Sequence, residues 1–254
     1  MKAILTCVAC LLLTAAMPAH AQGADPVTAR LATERAATIA PGRYSAGEGR
    51  GFSLTPYRGG KFLLRFANAP ECFVLTADPG SMGAKLLKYD TGVAALSVSV
   101  WGGVTLYLAE APNGLPATLQ GTAAAPTPIP VSAIELRTAL TDEAAHFSYA
   151  NNVVLHFIAD ARTMADTDAR ALAFDTLANV QMGLERLIAA QGGKQALSRR
   201  VSTVKLERAN RPGLALSGRN LVVRYAPPEG YLGRPSSYAV AHQLGKLLAV
   251  KTPE

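Results

Sequence analysis

Residues 61–108 read KFLLRFANAPECFVLTADPGSMGAKLLKYDTGVAALSVSVWGGVTLYL. Short runs rich in Val, Leu, Phe and Tyr alternate with clusters of Gly, Pro, Asn and Asp, a pattern typical of short strands joined by tight turns. Within Lys61–Phe66, the side chains of Phe62, Leu64 and Phe66 occupy every second position, as in a strand with one buried face. We therefore expect an antiparallel β-meander.

The strand pattern predicts one antiparallel β domain over residues 42–122. Its strands recur at roughly ten-residue spacing, and such a meander can close as a small barrel or fold as a sandwich; the sequence leaves both open. The six predicted strands are Gly51–Thr55, Lys61–Phe66, Cys72–Thr76, Lys85–Tyr89, Val93–Val100 and Val104–Leu108.

A Pro-rich stretch follows this domain. Residues 123–131 read AAAPTPIPV, which can neither continue a strand nor start a helix before it ends, so we interpret it as a semi-rigid linker. Residues 132–254 then predict a second domain, in which helices pack on a small antiparallel sheet. The predicted class of the whole chain is α+β.

Capping patterns locate the predicted helices of the second domain. Ser132 with Glu135 has the spacing of a capping box, and the segment it opens extends to about Ala159 as one helix or as a helix and a buried segment. Thr163 with Asp166 repeats this spacing and opens a long helix. Further elements are strands Val201–Arg208, Leu214–Leu216 and Leu221–Tyr225, and a last helix beginning at Pro235.

The first residues have the pattern of an export signal. Met1-Lys2 is followed by an apolar run over residues 3–16 and by Ala19-His20-Ala21, which suits a signal peptidase. The run is shorter than the roughly 20 residues that a membrane span needs. We expect a signal peptide over 1–21, cleavage after Ala21, a periplasmic protein and no transmembrane anchor.

Residues 22–41 form a predicted N-terminal extension with a short helix over 27–38. Cleavage of the signal peptide would remove Cys7 and Cys10 and leave Cys72 as the single cysteine, so no intramolecular disulfide is expected. Because Cys72 lies in an apolar run, we interpret it as a small buried hydrophobic residue.

Catalytic and metal-binding signatures are missing from the sequence. It contains no His-Glu-x-x-His or Gly-x-Ser-x-Gly motif and no phosphate-binding loop. We therefore predict no catalytic residues, no metal site and no cofactor. The alternative is a periplasmic hydrolase that uses His156 or His242 with a nearby carboxylate.

The positive charge is concentrated in one part of the chain. The net charge is +7 overall, and residues 194–224 alone contain eight basic residues against Glu207. Such a cluster attracts anionic partners, whether phosphorylated glycolipids, acidic glycans, anionic phospholipids or a periplasmic protein. Alternatively, it only solubilises the edge of a hairpin. Nucleic acid is not expected, because interleaved aromatic residues are missing.

The start of the last helix is a second candidate for anion binding. Free backbone N–H groups at a helix start suit a phosphate or carboxylate, and Arg234 and two serines accompany them; ordinary helix capping is the alternative. The candidate anion-binding residues are Arg199, Arg200, Lys205, Arg219, Arg224, Arg234, Ser236 and Ser237.

Several short motifs occur together in this chain. They are Phe62-Leu63-Leu64-Arg65-Phe66 with Glu71, Asp90-Thr91-Gly92, Gly102-Gly103-Val104-Thr105-Leu106-Tyr107 and Leu232-Gly233-Arg234-Pro235-Ser236-Ser237. In these motifs the chain resembles a secreted alphaproteobacterial domain-of-unknown-function family, family 4908. The resemblance implies a secreted two-part protein and no particular activity.

Together, these patterns favour a non-catalytic periplasmic protein that binds an anionic envelope component or a protein partner through its basic C-terminal half. A small barrel holding an apolar ligand is a further hypothesis. An interior filled by Phe62, Phe66, Phe73 and Trp101 would exclude it.

Overall fold

Eight consecutive antiparallel strands close into a barrel in the computed structural model, which describes residues 37–251. Each strand pairs with the next along the chain, and the last pairs with the first. The barrel strands are β1 (Gly42–Ala46), β2 (Arg50–Tyr57), β3 (Lys61–Phe66), β4 (Cys72–Pro79), β5 (Lys85–Lys88), β6 (Ala94–Val98), β7 (Val104–Leu108) and β8 (Ala111–Gly121).

The predicted meander is thus confirmed, and it closes as a barrel. The six predicted strands correspond to β2–β7. The sequence predicts neither the first nor the last strand, because Tyr44 is the one strand-favouring residue of β1 (GRYSA) and because β8 contains Pro112 and Pro116. These two strands pair with each other and close the barrel.

Side chains fill the barrel interior. The rings of Tyr44 and Phe52 stack with centroids 5.1 Å apart, and Phe66 meets Phe73 edge to face at 6.3 Å. In β3, Leu64 belongs to this core and Phe62 and Phe66 pack against it as predicted, but Leu63 on the other face is buried as well. Three of the four side chains named in that hypothesis, Phe62, Phe66 and Phe73, pack in or against this core, which disfavours an apolar ligand inside the barrel. Trp101 does not contribute, because it is 92% exposed.

The second half of the described chain contains helices and a four-stranded sheet. Residues 122–132 between the halves have no regular secondary structure; the domain boundary placed there stays a prediction. The helices are α1 (Ala133–Asn151), α2 (Ala161–Ala165), α3 (Thr167–Ala189), α4 (Gly193–Arg200) and α5 (Ser237–Leu248), and the strands are β9 (His156–Ala159), β10 (Thr203–Arg208), β11 (Gly213–Ser217) and β12 (Asn220–Tyr225). Three short 3-10 helices lie at Arg58–Gly60, Ser81–Gly83 and Pro227–Gly233.

This sheet is mixed, with strand order β11-β12-β10-β9. The prediction of antiparallel pairing is right for β11 and β12 and wrong for the other two pairs, in which β10 lies parallel to β9 and to β12. The four-residue strand β9 was not recognised as a strand, and its connection to β10 through α2, α3 and α4 is what makes the pair parallel. The α+β class is confirmed.

Most helix starts follow the capping patterns. Ser132 and Glu135 form the predicted capping box, and α1 ends where Asn152 adopts a left-handed conformation with φ 50°. Asp166 caps α3, so that helix begins four residues later than Thr163. The helix α5 begins at Ser237 with Ser236 as its N-cap, two residues beyond Pro235. The short helix α4 was not predicted.

Helices cover one face of the mixed sheet. Val204, Leu206, Val223 and Tyr225 are buried against the apolar stripe of α3 and against α1 and α5. Alternate residues of the same strands, such as Lys205, point to the opposite face. We call this the open face, because no helix of the described chain covers it. One of the candidate binding sites lies on it.

The predicted N-terminal features lie outside the described residues. These are the signal peptide with Cys7 and Cys10, and residues 22–36 of the predicted extension with most of its short helix. Within residues 37–251, none of the helices is both long enough and apolar enough to cross a membrane.

Candidate functional site

The start of α5 binds two carboxylates of the barrel. Glu71 accepts hydrogen bonds from the backbone N–H of Ser237 at 2.7 Å and from its hydroxyl at 2.6 Å. Asp90 accepts the corresponding bonds from Ser236 at 2.9 and 2.6 Å. The Ser236 hydroxyl also accepts from the N–H of Ala239 at 3.0 Å and caps the helix.

Arg234 is likewise used inside the protein. Its side chain is buried, its Nε forms an ion pair with Asp175, and its Nη2 donates to the carbonyl of Cys72 at 2.8 Å. Burial raises the pKa of Asp175, and the Arg234 guanidinium opposes this rise. The guanidinium therefore connects the barrel wall to α3.

Close packing holds α5 at this position. Gly183 on α3 faces Val240 so closely that a Cβ at this glycine would lie 2.5 Å from the Val240 Cβ. Asn179, also on α3 and fully buried, donates to the carbonyl of Pro235 at 2.9 Å and fixes the chain before the helix. The helix start therefore meets the barrel loops with its N–H groups already oriented.

These contacts show which anions the helix start binds in this structure. The anion-binding chemistry expected at Arg234, Ser236 and Ser237 is present, but the anions are the side chains of Glu71, Asp90 and Asp175. An external anion would have to displace them. The sequence reasoning missed these partners, although Glu71 and Asp90 occur in the motifs that carry the family resemblance.

The other five predicted residues lie on or beside the open face. Lys205 on β10 and Arg224 on β12 both approach Glu207, with N–O distances of 2.9 and 3.7 Å. Arg199 and Arg200 are exposed in the last turn of α4, next to where β10 begins.

Arg219 joins this group from the turn between β11 and β12. It donates to the carbonyl of Ser198 in α4 at 3.2 Å, so the turn and the end of α4 are in contact. We call Arg199, Arg200, Lys205, Arg219 and Arg224 the basic surface. Glu207 is the one acidic residue that pairs with these five cations among the described ion pairs, which leaves four positive charges unbalanced within this group.

The open face also presents apolar side chains beside the charges. Ile158 on β9 is 46% exposed, and its position in register with Lys205 places it on the same face. Val222 lies in register with Lys205 on the other side. The basic surface thus borders apolar sheet, a combination that suits an interface.

The histidines do not form a catalytic arrangement in the described chain. The side chains of His156 and His242 make no hydrogen bond to an Asp, Glu, Ser or Cys residue there, and His146 pairs with exposed Glu185 at 3.4 Å. No group of three metal-ligating side chains occurs within residues 37–251. The geometry therefore gives the hydrolase hypothesis no support.

Cys72 is buried and free, as predicted. Desolvation raises the pKa of its thiol to about 12, so the thiolate is not available near neutral pH. Cys72 is therefore a structural residue of the barrel wall beside Arg234.

Comparison with known proteins identifies the family. A family model described as "Domain of unknown function (DUF4908)" matches residues 26–244. The chain belongs to this family. No curated protein and no solved structure matches it, so the DUF4908 assignment brings no activity with it.

Proposed function

We propose that this DUF4908 chain is a non-catalytic binding protein of the periplasm that attaches to an anionic component of the cell envelope through its basic surface. The observation that carries the proposal is the position of five basic residues around a sheet face that no described helix covers. The N-terminal export pattern supports the expected location.

The charges of the basic surface are better placed to bind an extended anionic membrane than a single small ion. Lys205 and Arg224 are partly balanced by Glu207, whereas Arg199 and Arg200 are exposed and have no ion-pair partner in the described chain. Their guanidinium groups can approach phosphate groups of a membrane without losing an internal contact. Each basic residue near an anionic membrane surface contributes about 1 kcal/mol.

Phospholipid vesicles test the proposal directly. The purified protein is sedimented with vesicles of phosphatidylcholine alone and with vesicles that also contain phosphatidylglycerol. We expect binding to the anionic vesicles at about 0.01 M salt and loss of binding at about 1 M salt, since the screening length falls from roughly 30 Å to roughly 3 Å.

Two outcomes would contradict the proposal. Equal binding to both kinds of vesicle would show that charge does not determine attachment. No binding at low salt would exclude an anionic membrane surface as the partner and would favour a periplasmic protein instead.

A further inference from the structure

A cleft of about 550 Å³ lies between one mouth of the barrel and the helices α3 and α5. Barrel loops and strand ends form one wall, and the two helices form the other. Val93, Leu108 and Pro112 line the cleft from the barrel side, and Arg186, Tyr238 and His242 line it from the helices. This site is separate from the basic surface, and its volume is in the range of small-molecule sites.

Aromatic side chains form the floor of the cleft. Tyr238 at the start of α5 packs on Phe73 and Tyr89 of the barrel, with ring centroids 5.5 and 4.9 Å apart. These rings close the barrel mouth, so a ligand in the cleft would lie across the mouth and not enter the packed interior. Most of the remaining lining is aliphatic.

The polar groups of the cleft are cationic or neutral. Arg186 and His242 line it, and no Asp or Glu occurs among its described lining residues. The Arg186 guanidinium lies 4.1 Å from the centroid of the Tyr238 ring, and its Nε donates to the Ser237 hydroxyl at 3.3 Å. Its two terminal nitrogens have no acceptor within residues 37–251 and remain available.

The Glu71 carboxylate attracts the Arg186 guanidinium from the barrel side, but its oxygens already accept hydrogen bonds from another residue. Both oxygens of Glu71 accept hydrogen bonds from Ser237, and Glu71 is almost fully buried. Arg186 lines the cleft, and its two terminal nitrogens could donate two parallel hydrogen bonds to a planar carboxylate there. His242 lies on the same wall one helical turn beyond Tyr238.

We propose that this cleft binds a single-chain amphiphile with a carboxylate head. The carboxylate pairs with Arg186 and His242, and the hydrocarbon chain lies against Val93, Leu108 and Pro112. Charge complementarity selects the anionic head, and the apolar lining selects the chain. A free small anion lacks the apolar contacts, and a cationic amphiphile meets Arg186 as a like charge.

Titration calorimetry with three probes below their micellar concentrations tests this assignment. Dodecanoate carries both features, dodecyltrimethylammonium carries the same chain with a cationic head, and acetate carries the head alone. We expect saturable 1:1 binding of dodecanoate only. Equal binding of the cationic probe, or no binding of dodecanoate, would overturn the proposal.

Variants locate the site. Ala109 is exposed in the loop between β7 and β8, so Ala109→Trp fills the cleft without disturbing the core, and Ala145→Trp on the exposed side of α1 is the matched control. We expect dodecanoate affinity at least tenfold lower for the first and unchanged for the second.

Arg186→Gln tests the head contact. We expect its dodecanoate affinity to fall roughly tenfold with an unchanged circular dichroism spectrum. Ala109→Trp should leave attachment to anionic vesicles intact. The proposal of a ligand in the cleft and the proposal of membrane binding by the basic surface can therefore be refuted separately. Unchanged dodecanoate binding in Ala109→Trp would place the ligand elsewhere.

Discussion

Replacement of Glu71 by alanine should weaken the whole structure, because this carboxylate joins the barrel to the helical half. Glu71 is 2% exposed and accepts two short hydrogen bonds from Ser237 at the first turn of α5. Glu71→Ala leaves the Ser237 N–H and hydroxyl buried next to the barrel. It also removes the negative charge that faces Arg186 and Arg234.

The magnitude follows from these contacts. Each buried donor left unpaired costs about 1–3 kcal/mol, and the loss of a negative charge at a helix start costs about 0.3–1 kcal/mol more. Burial raises the pKa of Glu71, so removing the carboxylate also removes a desolvation cost and reduces the total. We expect a net loss of about 3 kcal/mol, or roughly 6–12 °C in Tm for a chain of this size.

Urea unfolding followed by far-ultraviolet circular dichroism measures this effect. The matched control is Asp90→Ala, which removes the same pair of contacts from Ser236; Asp90 is exposed, and it lines a pocket with Ser236 where water can replace its carboxylate. We expect a loss of about 1 kcal/mol for the control. If the two alanine variants lose equal stability, the buried Glu71 contact is not what holds the two halves together.

Three further predictions concern single residues. Glu143 has a pKa raised to about 7 by burial; because the folded state then binds more protons than the unfolded state between about pH 4.5 and 7, stability falls as the pH rises through this range, and Glu143→Gln should be about 1 kcal/mol more stable than the native chain at pH 8 and equal to it at pH 4 by urea unfolding. The Cys72 thiol should react with a thiol reagent at pH 8 only after unfolding, and rapid labelling of the folded protein would show that it is accessible. Intact-mass analysis of protein recovered from the periplasm should give a chain beginning at Gln22, and a mass that retains Met1 would contradict export by a cleaved signal peptide.

The barrel could be predicted from the sequence because its strands follow one another and each strand shows its own alternation. In β3, the alternate positions of Phe62, Leu64 and Phe66 indicate the face that packs on the barrel core, although the burial of Leu63 on the other face does not follow from this pattern. Closure was not predictable, since it depends on the pairing of β1 with β8, two strands with weak sequence patterns at opposite ends of the domain.

Long-range pairing also explains the errors in the second half. The hairpin β11–β12 follows from a local turn, whereas β9 is separated from its partner β10 by three helices. A four-residue segment such as His156–Ala159 becomes a strand because β10 lies beside it. Local propensity does not contain this information.

In the candidate sites too, local features could be predicted from the sequence and long-range contacts could not. The helix start at Ser236 and Ser237 could be predicted because N-capping is local. Its carboxylate partners could not, since Glu71 and Asp90 lie 166 and 146 residues away along the chain. Arg186 and His242 likewise come together only because α3 and α5 pack at Gly183.

The basic surface is tested most directly by comparing two double variants that remove equal charge. Arg199→Gln/Arg200→Gln neutralises the exposed end of α4, and Arg43→Gln/Lys85→Gln neutralises two positions on the barrel. In low-salt sedimentation with phosphatidylglycerol vesicles, the first variant should bind about 30-fold more weakly than the native chain, which corresponds to about 2 kcal/mol. The barrel variant should bind almost as well as the native chain. Equal weakening in both variants would show that overall charge, and not the basic surface, governs attachment.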